Sequence, residues 1–217
     1  MLGIVTGLKS EAKLVAGLGA AVISGGGQAE VTRAKIASLI AQGVTGLVSF
    51  GIAGGLDPAL PVGALVISET VFDGTGYRYL GAATWCEQAC AAAPGAIRGP
   101  VYASDAIVDS VALKDQIFRH LKTVAADMES HHVARAAARH GLPFLVIRAV
   151  ADTAAEALPA AFGAGVDADG GTRIGPILKA MLCGQLSLPG VIRAGKSAST
   201  ALASLRQARA IVAALQI

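Results

Sequence analysis

Short apolar segments alternate with helical segments along this 217-residue chain, and that alternation limits the fold more than any other feature. Several of the apolar segments are nearly continuous, which is typical of strands covered on both faces. The predicted strands are residues 3–6, 21–24, 46–50, 64–71, 101–103, 124–126 and 143–149, and the predicted helices between them are residues 11–16, 30–41, 111–120 and 129–140. The pattern predicts an α/β domain with a largely parallel sheet.

The alternation ends in the last third of the chain. Residues 154–172 hold four glycines and three acidic residues with little periodicity, so a lid loop is predicted there. Helices are predicted at residues 174–183 and 197–215, separated by a break at residues 186–190 that contains Pro189. No internal repeat or domain boundary is evident. The expected organisation is one domain over residues 1–217, with C-terminal helices within residues 173–217.

Composition argues against several classes of protein. Mean hydropathy is high at +0.59, but no stretch approaches the roughly 18 apolar residues that a spanning helix needs. No basic segment precedes the first apolar one, as a secretory signal would require, so a cytoplasmic location is expected. Three cysteines form no metal-binding pattern and fit a reducing compartment. A net charge of +3, with only basic charges after Asp169, indicates at most a weak basic face and no nucleic-acid binding.

Polar and glycine-rich residues follow the predicted strands, at the edge where open α/β sheets bind their ligands. They are Lys9–Glu11, Ser24–Gly27, Gly51–Gly55, Ser104–Asp105, Asp127–Glu129 and Asp152–Thr153. Acidic side chains and glycine turns are therefore expected to meet at one edge of the sheet. This clustering indicates a site more strongly than any single motif does.

The glycine-rich segments have structural interpretations beside the functional ones. The turn at Ser24–Gly27, followed by a helix, is suited to hold an anion on backbone N–H groups. Its spacing matches neither a Walker loop nor a dinucleotide fingerprint, and such turns are often only structural. Gly51–Gly55 is interpretable either as a close backbone approach to a flat ring or as a β-turn that ends at Pro58.

The acidic segments are equally open to two interpretations. Asp127–Glu129 would favour the dipole of the helix that it begins, whatever its function. Asp152 lies four residues after Arg148 and is placed to pair with it or to act as a cap. The adjacent His131 and His132 are expected to point in different directions on their helix. They are interpreted as structural, and no metal site is predicted.

Three segments in this order resemble the nucleoside phosphorylase and nucleosidase superfamily. They are Ser49–Leu56, Ala126–Glu129 and Arg148–Asp152. The layout is most similar to that of methylthioadenosine/S-adenosylhomocysteine nucleosidases, and the similarity runs from Gly3 to about Ala154. It implies a single three-layer α/β/α domain around a mixed, mainly parallel sheet, assembled as a homodimer or higher homo-oligomer. It also implies an enzyme that cleaves the N-glycosidic bond of a purine nucleoside without a cofactor.

The resemblance assigns roles to individual residues. Glu129 would bind the ribose hydroxyls, with Met128 packed against the sugar, and Glu11 would activate water. Asp152 would protonate N7 of the departing purine or hydrogen-bond there. That role requires Asp152 to keep its proton near neutral pH, through an apolar environment or a nearby like charge. The other predicted site residues are Ala53, Gly54, Ser104 and Asp127 at the substrate, with Ser104 also facing the nucleophile together with Gly25, Gly26 and Gly27.

The sequence departs from the family pattern at two positions. Ala151 stands where a serine usually precedes the catalytic aspartate, and Asp127 replaces the more usual glutamate. No clear match to the phosphate-clamping arginines is present, although Arg33 or Arg78 could serve. Water and phosphate both remain open as the nucleophile, with phosphate then a co-substrate.

The C-terminal third, with its Ala-rich helices and residues 176–182, resembles the hopanoid-associated phosphorylases. This resemblance implies that the enzyme releases adenine from adenosylhopane, a lipid-linked nucleoside, and contacts the membrane peripherally. Nucleosidases for methylthioadenosine, S-adenosylhomocysteine or futalosine are the alternative within enzymes. A nucleoside-binding protein without catalysis is the alternative from another class.

Overall fold

The computed structural model describes residues 1–158, 167, 169–171, 183 and 187–215. The strands are β1 (Leu2–Thr6), β2 (Ala21–Ser24), β3 (Gly46–Gly55), β4 (Leu65–Ser68), β5 (Thr70–Asp73), β6 (Arg78–Leu80), β7 (Ile97–Arg98), β8 (Val101–Ala103), β9 (Ala125–Asp127) and β10 (Phe144–Asp152). The helices are α1 (Lys9–Val15), α2 (Ala29–Ala41), α3 (Ala83–Ala92), α4 (Val111–Leu121), α5 (Ser130–His140) and α6 (Leu188–Ala214).

These strands form one mixed sheet of ten, in the order β6-β5-β8-β9-β3-β10-β4-β7, with β1 beside β3 and β2 beside β1. Six of the nine strand pairs formed by the described residues are parallel. The long strands β3 and β10 run parallel at the centre. Their register shifts between Val150 and Asp152, and the shift sets Asp152 opposite Gly54. The mixed, mainly parallel sheet is the predicted one.

Helices cover both faces of the sheet, because β3 and β10 alternate apolar side chains between two cores. Leu47 and Val146 belong to a core that includes residues of α2 and α5. Val48 and Ile147 belong to a second core that includes residues of α1, α3 and α6. The predicted three-layer α/β/α fold is confirmed. Among the described residues, no helix combines the length and the apolar character that crossing a bilayer requires.

Several predicted elements need correction. Gly51–Gly55 continues β3 instead of forming a turn after it. The predicted strand at residues 64–71 is two strands that meet at Glu69, and β6, β7 and α3 were not predicted. Pro189 does not interrupt the C-terminal helix but lies in the first turn of α6, where a proline fits because that turn needs no N–H donor. The predicted helix at 174–183 and most of the predicted lid lie outside the described residues.

Candidate active site

Arg148 is a fully buried charge within β10, and it organises the site. Its Nε donates to Asp127 Oδ2 at 2.9 Å, and its Nη2 donates to the hydroxyls of Ser49 at 2.6 Å and Ser130 at 3.2 Å. Glu129 Oε2 lies 3.5 Å from the same Nη2. A buried guanidinium is tolerated only when it is paired and hydrogen-bonded, and these partners meet that need at Nε and Nη2.

Asp127 holds Arg148 and the start of α5 together. Its Oδ1 accepts hydrogen bonds from the backbone N–H groups of Glu129 at 2.9 Å and Ser130 at 2.7 Å, and its Oδ2 accepts one from the Ser130 hydroxyl at 2.6 Å. Burial acts to raise the pKa of Asp127, but the Arg148 guanidinium and the Ser130 hydrogen bonds outweigh it and hold the pKa below its usual range. The ionised Asp127 thereby fixes the backbone that carries Glu129.

Glu11 is a buried carboxyl group held by backbone donors from two elements. Its Oε2 accepts from the N–H groups of Gly7 at 2.8 Å and Leu8 at 2.7 Å, which caps α1, and its Oε1 accepts from Ile52 of β3 at 2.8 Å. Burial raises the pKa of Glu11, against the opposing effect of Arg148 and of the three hydrogen bonds. Glu11 therefore has a fixed position and retains its proton to higher pH than an ordinary glutamate.

Glu129 is the second buried carboxyl group beside Arg148. Burial raises its pKa to about 8; the nearby charges of Asp127 and Glu11 add to that rise, and Arg148 opposes it. Asp127 already balances the charge of Arg148, so Glu11 and Glu129 face each other without a full counter-charge. Two such neighbouring carboxyl groups titrate together and favour a state that retains a proton.

Two glycines leave the room that these groups occupy. A Cβ at Gly7 would lie 2.8 Å from Glu129 Oε1 and 3.5 Å from Glu11 Oε2. A Cβ at Gly51 would lie 2.8 Å from Glu11 Oε1 and would also collide with Arg148 Nη1. That Nη1 is buried and has no hydrogen-bond partner in the described part of the chain. The unpartnered Arg148 Nη1 and the two carboxyl groups thus lie close to the backbone of these glycines and to one another.

Asp152 is held by a buried lysine of α4. The Lys114 ammonium, 1% exposed, donates to Asp152 Oδ2 and to the carbonyl oxygens of Thr153 and Glu156, both at 2.8 Å. Its three N–H groups are thereby all used. Burial raises the pKa of Asp152, and the Lys114 charge opposes that rise. Lys114 supplies the orienting contact that Ala151 cannot provide.

The two groups of acids meet on neighbouring positions of β3. Glu11 binds the backbone of Ile52, and Asp152 lies opposite Gly54, where a Cβ would come within 3.2 Å of its Oδ2. Residues two apart on a strand are separated by about 7 Å. The site therefore presents one acid at Gly54 and two others near Ile52, along one strand.

The remaining predicted site residues lie in different surroundings from one another. Gly27 packs near Met128, because a Cβ there would lie 3.7 Å from the methionine Cε. The N–H groups of Gly25 and Gly26 already donate to the carbonyls of Thr6 and Gly7, at 2.8 and 2.9 Å.

Ser104 donates two hydrogen bonds to backbone carbonyl groups. Its N–H donates to the Asp127 carbonyl oxygen at 3.1 Å, and its hydroxyl donates to the Ala106 carbonyl oxygen at 2.7 Å. The side chain of Ala53 is part of the core.

Sequence reasoning missed Lys114 and the hydroxyls of Ser49 and Ser130. One of its two structural interpretations of Asp152, a pair with Arg148, is not what the structure has. Arg148 pairs with Asp127, and Asp152 pairs with Lys114. A signal for Arg148 was present, since a charge inside an apolar strand must have a buried partner. Lys114 had no such signal, because its helix looks like an ordinary amphipathic one.

The prediction for the adjacent histidines was wrong. His131 and His132 do not diverge: their ring centroids are 3.8 Å apart, and both Nε2 atoms lie within 2.9 Å of Asp105 Oδ1. They lie at the start of α5, where their side chains lean together toward the loop after β8. No pattern in the sequence indicated this group, whose three ligand atoms lie within 4.8 Å of one another.

The sequence matches the phosphorylase superfamily over residues 4–182, most of the chain. The chain belongs to the phosphorylase superfamily. Membership confirms the resemblance stated at superfamily level and, with it, the prediction of an enzyme.

Solved structures agree with this phosphorylase-superfamily fold. The 5′-methylthioadenosine/S-adenosylhomocysteine nucleosidase of Helicobacter pylori is 15% identical, with a TM-score of 0.75 over 99% of this chain and 98% of that one. The S-adenosylhomocysteine nucleosidase of Streptococcus pyogenes is 16% identical, with a TM-score of 0.75 over 100% and 97%. The futalosine hydrolase of Helicobacter pylori is 18% identical, with a TM-score of 0.60 over 70% and 87%. At these identities the likeness shows the fold.

Substituting Glu129→Gln is expected to remove a pH-dependent loss of stability from this superfamily member. The folded protein binds the Glu129 proton more tightly than the unfolded chain, whose pKa is near 4.5. Glu129 therefore contributes stability that is fully present below about pH 4.5 and is lost as the pH rises through about 8. Urea unfolding measures the effect. Between pH 4 and pH 9, the free energy of unfolding of the variant should rise relative to that of the natural protein by on the order of a few kcal/mol.

The raised pKa values of Glu11 and Asp152 act in the same direction as that of Glu129. The difference in stability between variant and natural protein at each pH therefore measures Glu129 together with its interaction with Glu11. Asp127 acts in the opposite direction, and only at low pH, because its pKa is lowered. A constant difference in stability across this pH range would contradict the buried, protonated state of Glu129.

Proposed function

We propose that this enzyme hydrolyses the N-glycosidic bond of a purine nucleoside and releases adenine. The observation that carries the proposal is the spacing along β3, with Glu11 bound at Ile52 and Asp152 opposite Gly54. A separation of about 7 Å suits a ribose beside one acid and its base beside the other. A nucleoside-binding protein would gain little from burying three carboxyl groups around an uncharged ligand.

The glutamate end of the site is suited to the sugar. Cleavage of a glycosidic bond develops positive charge on the ribose, as in glycoside hydrolysis. The Glu129 carboxyl group, fixed by its helix start, can accept hydrogen bonds from the ribose hydroxyls, and Met128 offers a soft apolar surface beside it. Interactions that strengthen as charge develops lower the barrier, because they favour the transition state over bound substrate.

The Asp152 end is suited to the departing base. The leaving purine gains negative charge, which a proton at N7 neutralises. Burial raises the pKa of Asp152, so the carboxyl group is better able to carry that proton. Lys114 binds Oδ2 and leaves Oδ1 for the base. We assign Asp152 as the general acid and Lys114 as the residue that positions it.

The environment of Glu11 favours water over phosphate as the nucleophile. Glu11, Glu129 and the unpartnered Arg148 Nη1 can together bind one water, accept its proton and orient its oxygen toward the sugar. Two carboxyl groups would repel a phosphate dianion. Arg33, a candidate phosphate clamp, is engaged by Glu30, and the N–H groups of Gly25 and Gly26 are already used.

For the 5′ substituent, we propose the lipid of adenosylhopane. The resemblance of the C-terminal third to hopanoid-associated phosphorylases supports this substrate. At the start of α6, Leu188 and Ile192 are exposed apolar side chains beside the exposed Arg193 and Lys196. Apolar and basic residues side by side on one helix suit peripheral contact with an anionic membrane, from which such a substrate would be taken. Methylthioadenosine or S-adenosylhomocysteine is the second candidate, favoured by the end-to-end likeness to nucleosidases of those compounds.

One assay tests the reaction and the substrate together. The protein is incubated with adenosylhopane or with methylthioadenosine, each with and without phosphate, and adenine and the sugar product are measured. Without phosphate, the expected sugar product is the 5-substituted ribose with a free anomeric hydroxyl, and adenine release is expected to be faster from adenosylhopane. A sugar 1-phosphate product would contradict hydrolysis, and a clear preference for methylthioadenosine would contradict the lipid substrate. No release of adenine from either would overturn the proposed function.

A further inference from the structure

We propose that Asp105, His131 and His132 form a binding site for a divalent transition-metal ion such as Zn²⁺. Each residue offers one ligand atom, and the three atoms lie within 4.8 Å of one another. The two histidines occupy the first turn of α5, and Asp105 lies in the loop after β8. These residues take no part in the carboxyl cluster around Arg148, so the site is additional to the proposed active site.

The three side chains already converge on one point. Asp105 Oδ1 is 2.9 Å from His131 Nε2 and 2.8 Å from His132 Nε2. Zinc bonds to histidine nitrogen and carboxylate oxygen are about 2.0–2.2 Å long, which sets tetrahedral ligand atoms little more than 3 Å apart. A small outward movement of Asp105, whose side chain is 58% exposed, would admit an ion between the three.

The histidines carry nitrogen atoms that the described protein does not satisfy. His132, with a side chain 1% exposed, has no hydrogen-bond partner at either ring nitrogen, because its approach to Asp105 lacks hydrogen-bond geometry. His131 Nδ1 is likewise without one. A buried polar atom without a partner destabilises the folded protein. A metal bond to His132 Nε2 would supply the missing partner.

The donor atoms of the three side chains match those of a transition-metal site. His131 and His132 each offer an imidazole nitrogen, and Asp105 offers a carboxylate oxygen. Two imidazole nitrogens and one carboxylate oxygen suit Zn²⁺, Co²⁺ or Ni²⁺ better than Mg²⁺ or Ca²⁺, which prefer oxygen.

The surroundings fit a site with an open position. The exposed Asp105 provides a path from solvent, and solvent can supply the fourth ligand. Arg33 is the nearby opposing charge, but Glu30 pairs with its guanidinium and reduces its effect on a cation. A bound ion would fasten the first turn of α5 to the loop after β8, one turn from Glu129.

The test is a titration of the full-length protein, freed of metal by chelation, with Zn²⁺ by calorimetry and with Co²⁺ by visible absorption. One ion per chain is expected, with Co²⁺ bands typical of nitrogen and oxygen ligands. Asp105→Ala removes an exposed ligand without disturbing the core and should weaken binding at least about 10-fold, since even a ligand's supporting partner is worth that much. His132→Gln should weaken it as well.

The matched control is His140→Ala, which removes an exposed histidine from the last turn of the same helix. Its affinity should equal that of the natural protein. Absence of binding, equal affinity in Asp105→Ala and His140→Ala, or intense thiolate absorption from Cys183 or Cys90 would each overturn the proposal. No nucleoside is present in these titrations, so their result is independent of the proposed reaction.

Discussion

Asp152→Asn is expected to lower kcat by about 10²–10⁴-fold, the range that a placed general acid contributes. The amide keeps the volume of the carboxyl group and can still accept a hydrogen bond from Lys114, but it cannot transfer a proton to N7. Adenine release under saturating substrate measures the effect. The KM should change little, because the lost interaction develops mainly in the transition state.

Stability must be separated from chemistry in this variant, since Asp152 is the only carboxylate that the described residues bring to the buried Lys114 ammonium. Removing one partner of a buried pair is costly, whereas replacing both with uncharged groups is often neutral. The double variant Asp152→Asn with Lys114→Met should therefore regain stability lost by the single variant, yet remain as inactive. Near-normal turnover in either variant would contradict the assignment of Asp152 as the acid.

Arg148→Met is expected to lower the free energy of unfolding by about 3–5 kcal/mol, the usual cost of stranding a buried charge. Asp127 would lose its counter-charge while its side chain stays 1% exposed, and the hydroxyls of Ser49 and Ser130 would lose a donor. Urea unfolding near pH 7 measures the loss. Pairing Arg148→Met with Asp127→Asn should recover part of it, because the unpaired charge of Asp127 is then removed as well.

A control for this second prediction is Arg119→Met on α4. Arg119 also pairs with an aspartate, Asp115, but both side chains are well exposed, at 73% and 47%. Exposed ion pairs contribute roughly 0–1 kcal/mol, so little change is expected. Equal losses of unfolding free energy at the two positions would mean that burial does not determine how much the Arg148–Asp127 pair contributes to stability.

Sequence reasoning predicted that the candidate acids lie close together, and elementary topology accounts for part of that arrangement. Glu11 lies in the helix that follows β1 and Asp152 ends β10, and both strands run parallel to β3, so their carboxyl ends meet at one edge. Glu129 follows β9, which runs antiparallel to β3, so its place beside Glu11 does not follow from this rule. The Arg148 strand was also recognisable, since few charges occur in a continuous apolar run. The core layers followed in the same way, from alternating side chains of β3 and β10 that reach two sets of helices.

What escaped prediction depends on contacts between distant parts of the chain. The 38-residue separation of Lys114 and Asp152 gives no local pattern, and neither does the meeting of two adjacent histidines with Asp105. β3 continues through Gly51–Gly55, although glycine favours turns, because Arg148 and Asp152 occupy the space that side chains there would fill. Local conformational preference does not predict this strand extension, since it depends on residues of β10.

The three acceptors of Lys114 couple the acid to the chain that leaves the sheet. One ammonium group binds the Asp152 carboxylate and the carbonyls of Thr153 and Glu156, so the side chain and the following backbone share a single anchor. Any change in the path of residues 153–156 therefore shifts the carboxyl group that we propose as the proton donor, even when the altered residue never touches substrate. Sequence changes in this short segment are a means by which the turnover number of the enzyme can be tuned from outside its binding site.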